Sequence, residues 1–336
     1  MSRNRGTTPR VVVVTGASAG VGRATVRAFA REGARIGLIA RGVDALEAAK
    51  REVEELGGEA LVLVADVADA DAIEKAAAQV ESRFGGIDVW VNNAMTSVFS
   101  PVKEMTAAEY KRVTEVTYLG YVNGTLAALK RMLPRDRGVI IQVGSALAYR
   151  GIPLQSAYCA AKHAIQGFCD SLRCELIHDN SNVQLCMVQM PALNTPQFGW
   201  VKSRLPHEAQ PVPPIYQPEI AADAVVHASH HPRREYCVGV PTVAAIAVNK
   251  VAPGLVDHYL ASTGYDAQQT GEPEDPNRAN NLWAPVPGDH GAHGAFDERA
   301  WSFSPHFWAN KNRRTLAAAA GVLAVGLALF SNRKRF

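Results

Sequence analysis

Apolar runs and amphipathic stretches alternate along the first 240 residues of the chain. Val11-Val12-Val13-Val14 has no polar side and fits a strand covered on both faces of a sheet. A glycine-rich turn follows, then apolar positions at helical spacing over residues 21–32. The same rhythm predicts strands at 35–40, 60–64, 88–91, 138–143, 183–188 and 236–240. Between them it predicts helices at 43–56, 69–84, 156–177 and 218–230, and a long, kinked helix over 107–133 that stops at Pro134. This alternation predicts an α/β fold built on a doubly wound parallel sheet.

The pattern changes after residue 240. Residues 243–261 are apolar and predict one helix packed on the domain. Residues 263–314 are rich in Pro, Gly, Asn, His and Asp without a steady period, which predicts a linker with little packed structure. Trp283, Phe296, Trp301, Phe303, Phe307 and Trp308 within it predict that part of it docks on the globular body or on a membrane surface. Residues 315–330 are sixteen uncharged positions between Lys311, Arg313, Arg314 and Arg333, Lys334, Arg335. As a helix they span roughly 24 Å, and snorkelling basic residues would make up the distance to a ~30 Å hydrocarbon core. The expected organisation is a flexible N-terminus (1–9), a single catalytic domain (10–262), the linker (263–314), a terminal hydrophobic helix acting as a transmembrane anchor (315–330) and a basic tail (331–336). A buried helix of the fold is the other reading of 315–330.

Composition adds limits. The 336 residues suit one α/β domain of about 250 residues with an extension. A net charge of +3, with no dense basic face in the first 240 residues, argues against nucleic acid as a partner. The five cysteines show no metal spacing and read as reduced thiols, with Cys159 turned away from its neighbour Tyr158 on the helix. Residues 1–10 carry no apolar signal region, so the catalytic domain is expected on the cytosolic side.

Two groups of residues carry chemistry. The loop Thr15-Gly16-Ala17-Ser18-Ala19-Gly20-Val21-Gly22 joins a strand to a helix, where glycines let the backbone approach a pyrophosphate and the helix start offers free N–H groups. Tyr158 and Lys162 lie one helical turn apart on one face, and an ammonium there favours the phenolate. A hydroxyl from Ser145, on a neighbouring strand end, can bond the same substrate oxygen. A proton-transfer site beside a dinucleotide loop reads as hydride transfer.

These motifs, with Asp66-Val67 and Asp88-Val89-Trp90-Val91-Asn92-Asn93-Ala94, occur in the order of the short-chain dehydrogenase/reductase family, which the chain resembles from about residue 10 to residue 240. The resemblance implies a Rossmann fold with Tyr158 as acid/base, Lys162 lowering its pKa and holding the nicotinamide ribose, and Ser145 polarising the substrate oxygen. It places Gly16, Ser18, Ala19, Gly20, Val21, Gly22, Val67, Asn93 and Ala94 at the cofactor. Asp66 would accept from the adenine amine and Thr195 would reach the carboxamide; a homo-oligomer is expected. NAD-selective relatives carry an acidic residue at the end of the second strand, where this chain has Ala40 and then Arg41. A guanidinium there, with Ser18 as second donor, favours NADP(H) over NAD(H).

The chain departs from the family pattern at three places. Met95 replaces the glycine after Asn-Asn-Ala, Met190-Pro191 replaces a Pro-Gly pair, and Thr117 stands where a fourth catalytic residue, an Asn anchoring a proton-relay water, is usual. Residues 196–216, with Phe198, Trp200, Tyr216 and five prolines, are expected to be a stiff apolar flap over the substrate. The leading expectation is a membrane-anchored NADP(H)-dependent enzyme acting on an apolar ketone, aldehyde or secondary alcohol. Two others stay open: a catalytically weak NADP(H)-binding scaffold or redox-sensing module, and a soluble enzyme whose tail docks a partner protein.

Overall fold

The computed structural model describes residues 9–313 and 315–318. Seven parallel strands form the central sheet: β1 (Val11–Thr15), β2 (Arg35–Ala40), β3 (Glu59–Val64), β4 (Val89–Asn92), β6 (Val139–Ser145), β7 (Gln184–Met190) and β11 (Glu235–Cys237). Their order is β11-β7-β6-β4-β1-β2-β3, so the chain reverses direction of travel between β1 and β4. A crevice opens there beyond the strand ends, which is where such sheets bind ligands.

The four valines of β1 show why the run is continuous. Val12 and Val14 enter the core on one face of the sheet, and Val11 and Val13 enter the core on the other. Helices α1 (Gly20–Ala30), α2 (Val43–Glu55) and α7 (Pro218–His230) cover the first face. Helices α3 (Ala70–Phe84), α4 (Ala107–Thr114), α5 (Gly120–Met132) and α6 (Ser156–His178) belong to the second. Thr106 and Glu109 start α4 with a reciprocal capping box. The expected kink in the long helix is a π-helical turn, Glu115–Leu119, between α4 and α5.

Two expectations beyond residue 240 are corrected. The single packed helix is two helices, α8 (Val240–Val251) and α9 (Pro253–Thr263). Pro253 lacks an amide donor and forces Ala252 out of helical geometry (φ −140°, ψ 59°). Neither helix packs deeply: Thr242 is the one buried residue in α8, and α9 has none.

The second correction concerns residues 264–312: part of the stretch docks on the globular body as its aromatics predict, but the packing is too extensive for a linker. β12 (Gln269–Pro273) pairs with β9 (His207–Ala209), and β13 (Ala300–Trp301) pairs with β10 (Ile215–Tyr216). A third small ladder joins β5 (Val98–Phe99) to β8 (Lys202–Ser203) in the flap. Leu282, Ala292 and Phe307 are buried, the last in α10 (Pro305–Lys311) against His227. Isolated anchors in a polar stretch leave no periodic signal, so composition alone hides the packing. The expected terminal helix over 315–330 lies almost wholly outside the described residues. Among the described residues, no helix is long and apolar enough to cross a membrane.

Candidate active site

A cavity of about 610 Å³ opens at the chain reversal. One half is lined by Gly16, Ser18, Ala19, Gly20, Val21, Ala40, Arg41, Asp66, Val67, Asn93, Ala94 and Met95. The other is lined by Ser145, Tyr158 and Lys162, by Met190, Pro191 and Thr195, and by Phe198, Trp200 and residues 210–214 of the flap. Nearly every residue singled out in the sequence therefore meets in one space. Gly22 and Thr117 are not part of its lining.

Ser145 ends β6, and Tyr158 and Lys162 lie in the first turns of α6. The Ser145 hydroxyl accepts from Leu147 N–H at 3.1 Å, which fixes its direction. Lys162 is buried, and its ammonium donates to Val143 O at 2.7 Å and to the Tyr121 hydroxyl at 3.0 Å. The Lys162 nitrogen stands 5.5 Å from the centre of the Tyr158 ring.

Burial is the largest influence on the titration of both members of this pair. Tyr158 keeps some surface open to the cavity, yet the protein around it excludes enough water to raise its pKa above the ordinary phenol value. A hydrogen bond with Ser145 works in the opposite direction. The same burial pushes Lys162 down to about 7, so the ammonium is only partly populated at neutral pH.

Thr117 is also corrected. Its hydroxyl donates to Thr96 O at 2.8 Å and accepts from Thr96 N–H at 3.0 Å, and the side chain is buried away from the cavity. Both bonds pin the π turn to the segment after β4. The residue that does touch Lys162 is Tyr121, one turn further along, which the sequence reading missed. Its spacing of four from Thr117, toward the sheet, was the available signal.

At the other end, Asn93 donates through its side chain to Thr15 O at 3.0 Å, so it braces the glycine loop as well as lining the cavity. Gly22 serves close packing: a Cβ there would lie 2.0 Å from Gly16 O. Burial alone would raise the Asp66 carboxyl, but the Ala68 N–H and the Arg112 guanidinium hold it below the usual carboxylate range. Arg41 lines the cavity, and its guanidinium donates to Asn281 O at 2.5 Å and Trp283 O at 3.2 Å. Arg112 also donates to Leu282 O at 3.0 Å. These contacts with residues 281–283 were not legible in the sequence.

The donor set fits a dinucleotide. The N-terminus of α1, Ser18 and Arg41 line one half of the cavity, and Asp66 lines it beside them.

Comparison with known proteins agrees with this arrangement. A family model described as short chain dehydrogenase matches residues 10–204. The chain is 32% identical over 330 residues to "Uncharacterized oxidoreductase YxnA" of Bacillus subtilis, covering 97% of this chain and 91% of that protein. It is 28% identical over 289 residues to a fatty acyl-CoA reductase of Acinetobacter baylyi, covering 84% of this chain and 95% of the relative. An alcohol dehydrogenase from Thermococcus sibiricus, solved with 5-hydroxy-NADP, superposes with a TM-score of 0.59 at 30% identity over 68% of this chain and 94% of that one. A metagenomic short-chain oxidoreductase solved with NADP gives a TM-score of 0.57 at 29% identity, covering 68% of this chain and 95% of its own. Because the match runs from the glycine loop through Tyr158 and Lys162, the residues gathered in the cavity, the chain belongs to the short-chain dehydrogenase family of oxidoreductases.

Proposed function

We propose that this oxidoreductase transfers a hydride between NADP(H) and an apolar ketone, aldehyde or secondary alcohol, with Tyr158 as the acid/base. The observation that carries the reading is the meeting of Ser145, Tyr158 and Lys162 in the same cavity as the glycine loop and Arg41. Bound nicotinamide supplies or accepts the hydride. Tyr158 donates a proton to the carbonyl oxygen in reduction and accepts one from the alcohol in oxidation. Ser145 bonds that oxygen and holds it in place. Lys162, close to its neutral form, exchanges a proton readily at physiological pH.

Arg41 favours the 2′-phosphate form of the cofactor, and both solved relatives described above carry NADP-type ligands. Ile152, Phe198, Trp200, Val212, Tyr259 and Leu260 at the substrate end favour an apolar molecule. The similarity to a fatty acyl-CoA reductase is in keeping with an aliphatic chain there. A screen of apolar ketones, aldehydes and alcohols with NADPH, NADP⁺, NADH and NAD⁺, followed by cofactor absorbance, tests the reading. No turnover with any pair would leave the binding-scaffold alternative, to which the engaged hydroxyl of Thr117 lends support.

The anchoring of residues 315–330 in a membrane, with the catalytic cavity on the cytoplasmic side, is part of the same proposal. Its support is the uncharged run between two basic clusters, preceded by exposed Trp301, Phe303 and Trp308, residue types common at membrane interfaces.

A further inference from the structure

The polar C-terminal segment follows the rim of the cofactor half of the cavity. At one end, Arg278 donates to Phe198 O at 2.7 Å and Val201 O at 3.1 Å, and Asn281 N–H donates to Trp200 O at 3.0 Å, tying the segment to the flap. Leu282 is fully buried with Val98, Val113 and Ala157, while the carbonyls on either side of it accept from Arg41. Pro285 then lies against Gly42 at the end of β2. Asp289 pairs with the buried Arg23 at 3.1 Å, and Gly291 O accepts from Gly20 N–H at 3.0 Å, at the start of α1. Gly294 passes so close to Thr195 that a Cβ would lie 2.5 Å from its carbonyl oxygen.

From these contacts we infer that residues 278–297 are part of the dinucleotide site: they form its outer wall and hold Arg41 in place, so that cofactor enters and leaves only when the segment lifts. The inference rests on the nicotinamide reading above. Three observations carry it. Asn281, Pro285, Val286 and His290 line the same cavity as the glycine loop and Arg41. The segment touches the ends of β2, α1 and the loop after β7 in turn, crossing the open side of the crevice. Two of Arg41's five N–H donors are committed to the carbonyls of residues 281 and 283, which fixes the guanidinium and leaves the others for a phosphate. Asp289 and Leu282 lie outside the cavity lining and act as positioning residues for the wall.

A reversible lock tests this directly. An ideal Cβ on Gly42 lies 3.5 Å from the Cβ of Pro285, within the span of a disulfide. The full-length Gly42→Cys/Pro285→Cys double variant is compared with itself, oxidised by diamide and reduced by dithiothreitol, with wild type taken through the same treatments. NADPH is bound, chased with excess NADP⁺, and its dissociation followed by fluorescence. Crosslinking is expected to slow dissociation at least tenfold, with recovery on reduction. The Leu282→Ala/Asp289→Asn double variant is expected to release NADPH at least fivefold faster than wild type while keeping a cooperative melt. Equal rates with and without a mass-verified crosslink would overturn the inference, as would a cysteine pair that never crosslinks. If wild type binds NADH but not NADPH and the lock still slows release, the wall stands and the NADP(H) reading fails. If wild type binds neither, both fall.

Discussion

The Lys162 ammonium and the Tyr121 hydroxyl are 3.0 Å apart, and both donate to Val143 O, at 2.7 and 2.9 Å. Tyr121 thus offers a buried ammonium one of its two oxygen partners. Tyr121→Phe removes it, so the charged form of Lys162 is less favoured and its pKa falls below about 7. The inflection of kcat/KM with pH is expected to move down, with a loss of about 1–2 kcal/mol in stability from urea melts. An unshifted pH profile would assign Tyr121 to packing alone.

Lys162 also sets a stability slope. Its pKa is about 7 when folded against an ordinary 10.5, so between those values the unfolded chain binds the extra proton. Stability contributed by this group therefore rises with pH across that window, and the penalty for the buried charge is complete below pH 7. Thermal melts of wild type against Lys162→Met should diverge in slope between pH 7 and 10, with the variant flatter. Parallel curves would mean that Lys162 stays charged in the fold.

Tyr158→Phe removes the proton donor and leaves the glycine loop and Arg41 untouched. Turnover is expected to fall by about 10²–10⁴, the usual contribution of a placed acid/base, with NADPH affinity within a few-fold of wild type. Near-normal rates in steady-state assays would remove Tyr158 from the mechanism.

Arg41→Asp is expected to weaken NADPH far more than NADH in calorimetric titrations. One charge-assisted bond to a phosphate is worth about 1.5–3 kcal/mol, and the new carboxylate repels the phosphate. Because Arg41 also holds the carbonyls of residues 281 and 283, some loss for NADH is expected too. Equal losses for both cofactors would confine Arg41 to that second task.

The sheet and the pairing of Tyr158 with Lys162 are readable because their causes are local. Four valines in a row have one sensible home, and Tyr158 and Lys162 need only one turn of helix to meet. Thr117 was misjudged because its hydroxyl was assigned by position in a pattern, whereas its bonds are set by Thr96, which approaches from another element. The aromatics of residues 264–312 signalled docking, but its extent was hidden because Leu282 and Ala292 are single buried anchors without period. Arg41 lines the cavity together with the glycine loop, as the end of the second strand implies, but its carbonyl partners lie 240 and 242 residues away and have no signature in sequence.

Removing residues 315–336 is expected to leave an active enzyme, since the last buried anchor of the described chain, Phe307, lies before the cut. If the proposed anchor is correct, membrane fractions hold the full-length protein through high-salt and alkaline washes, and the shortened protein moves to the supernatant. Full-length protein already in the supernatant would refute the anchor.

Arg23 and Asp289 are 266 residues apart in the chain and joined in space. A ribosome makes the glycine loop, the tyrosine and the lysine long before it makes residues 278–297, four of which line the same cavity. Contacts of such separation form late, because closing a long loop comes before any gain from it. A nascent or trimmed chain ending near residue 204, where the family match stops, would carry the recognisable motifs and an open crevice. If residues 278–297 wall the site as inferred, possession of the motifs and possession of a finished site are separated by the time needed to synthesise residues 205–297.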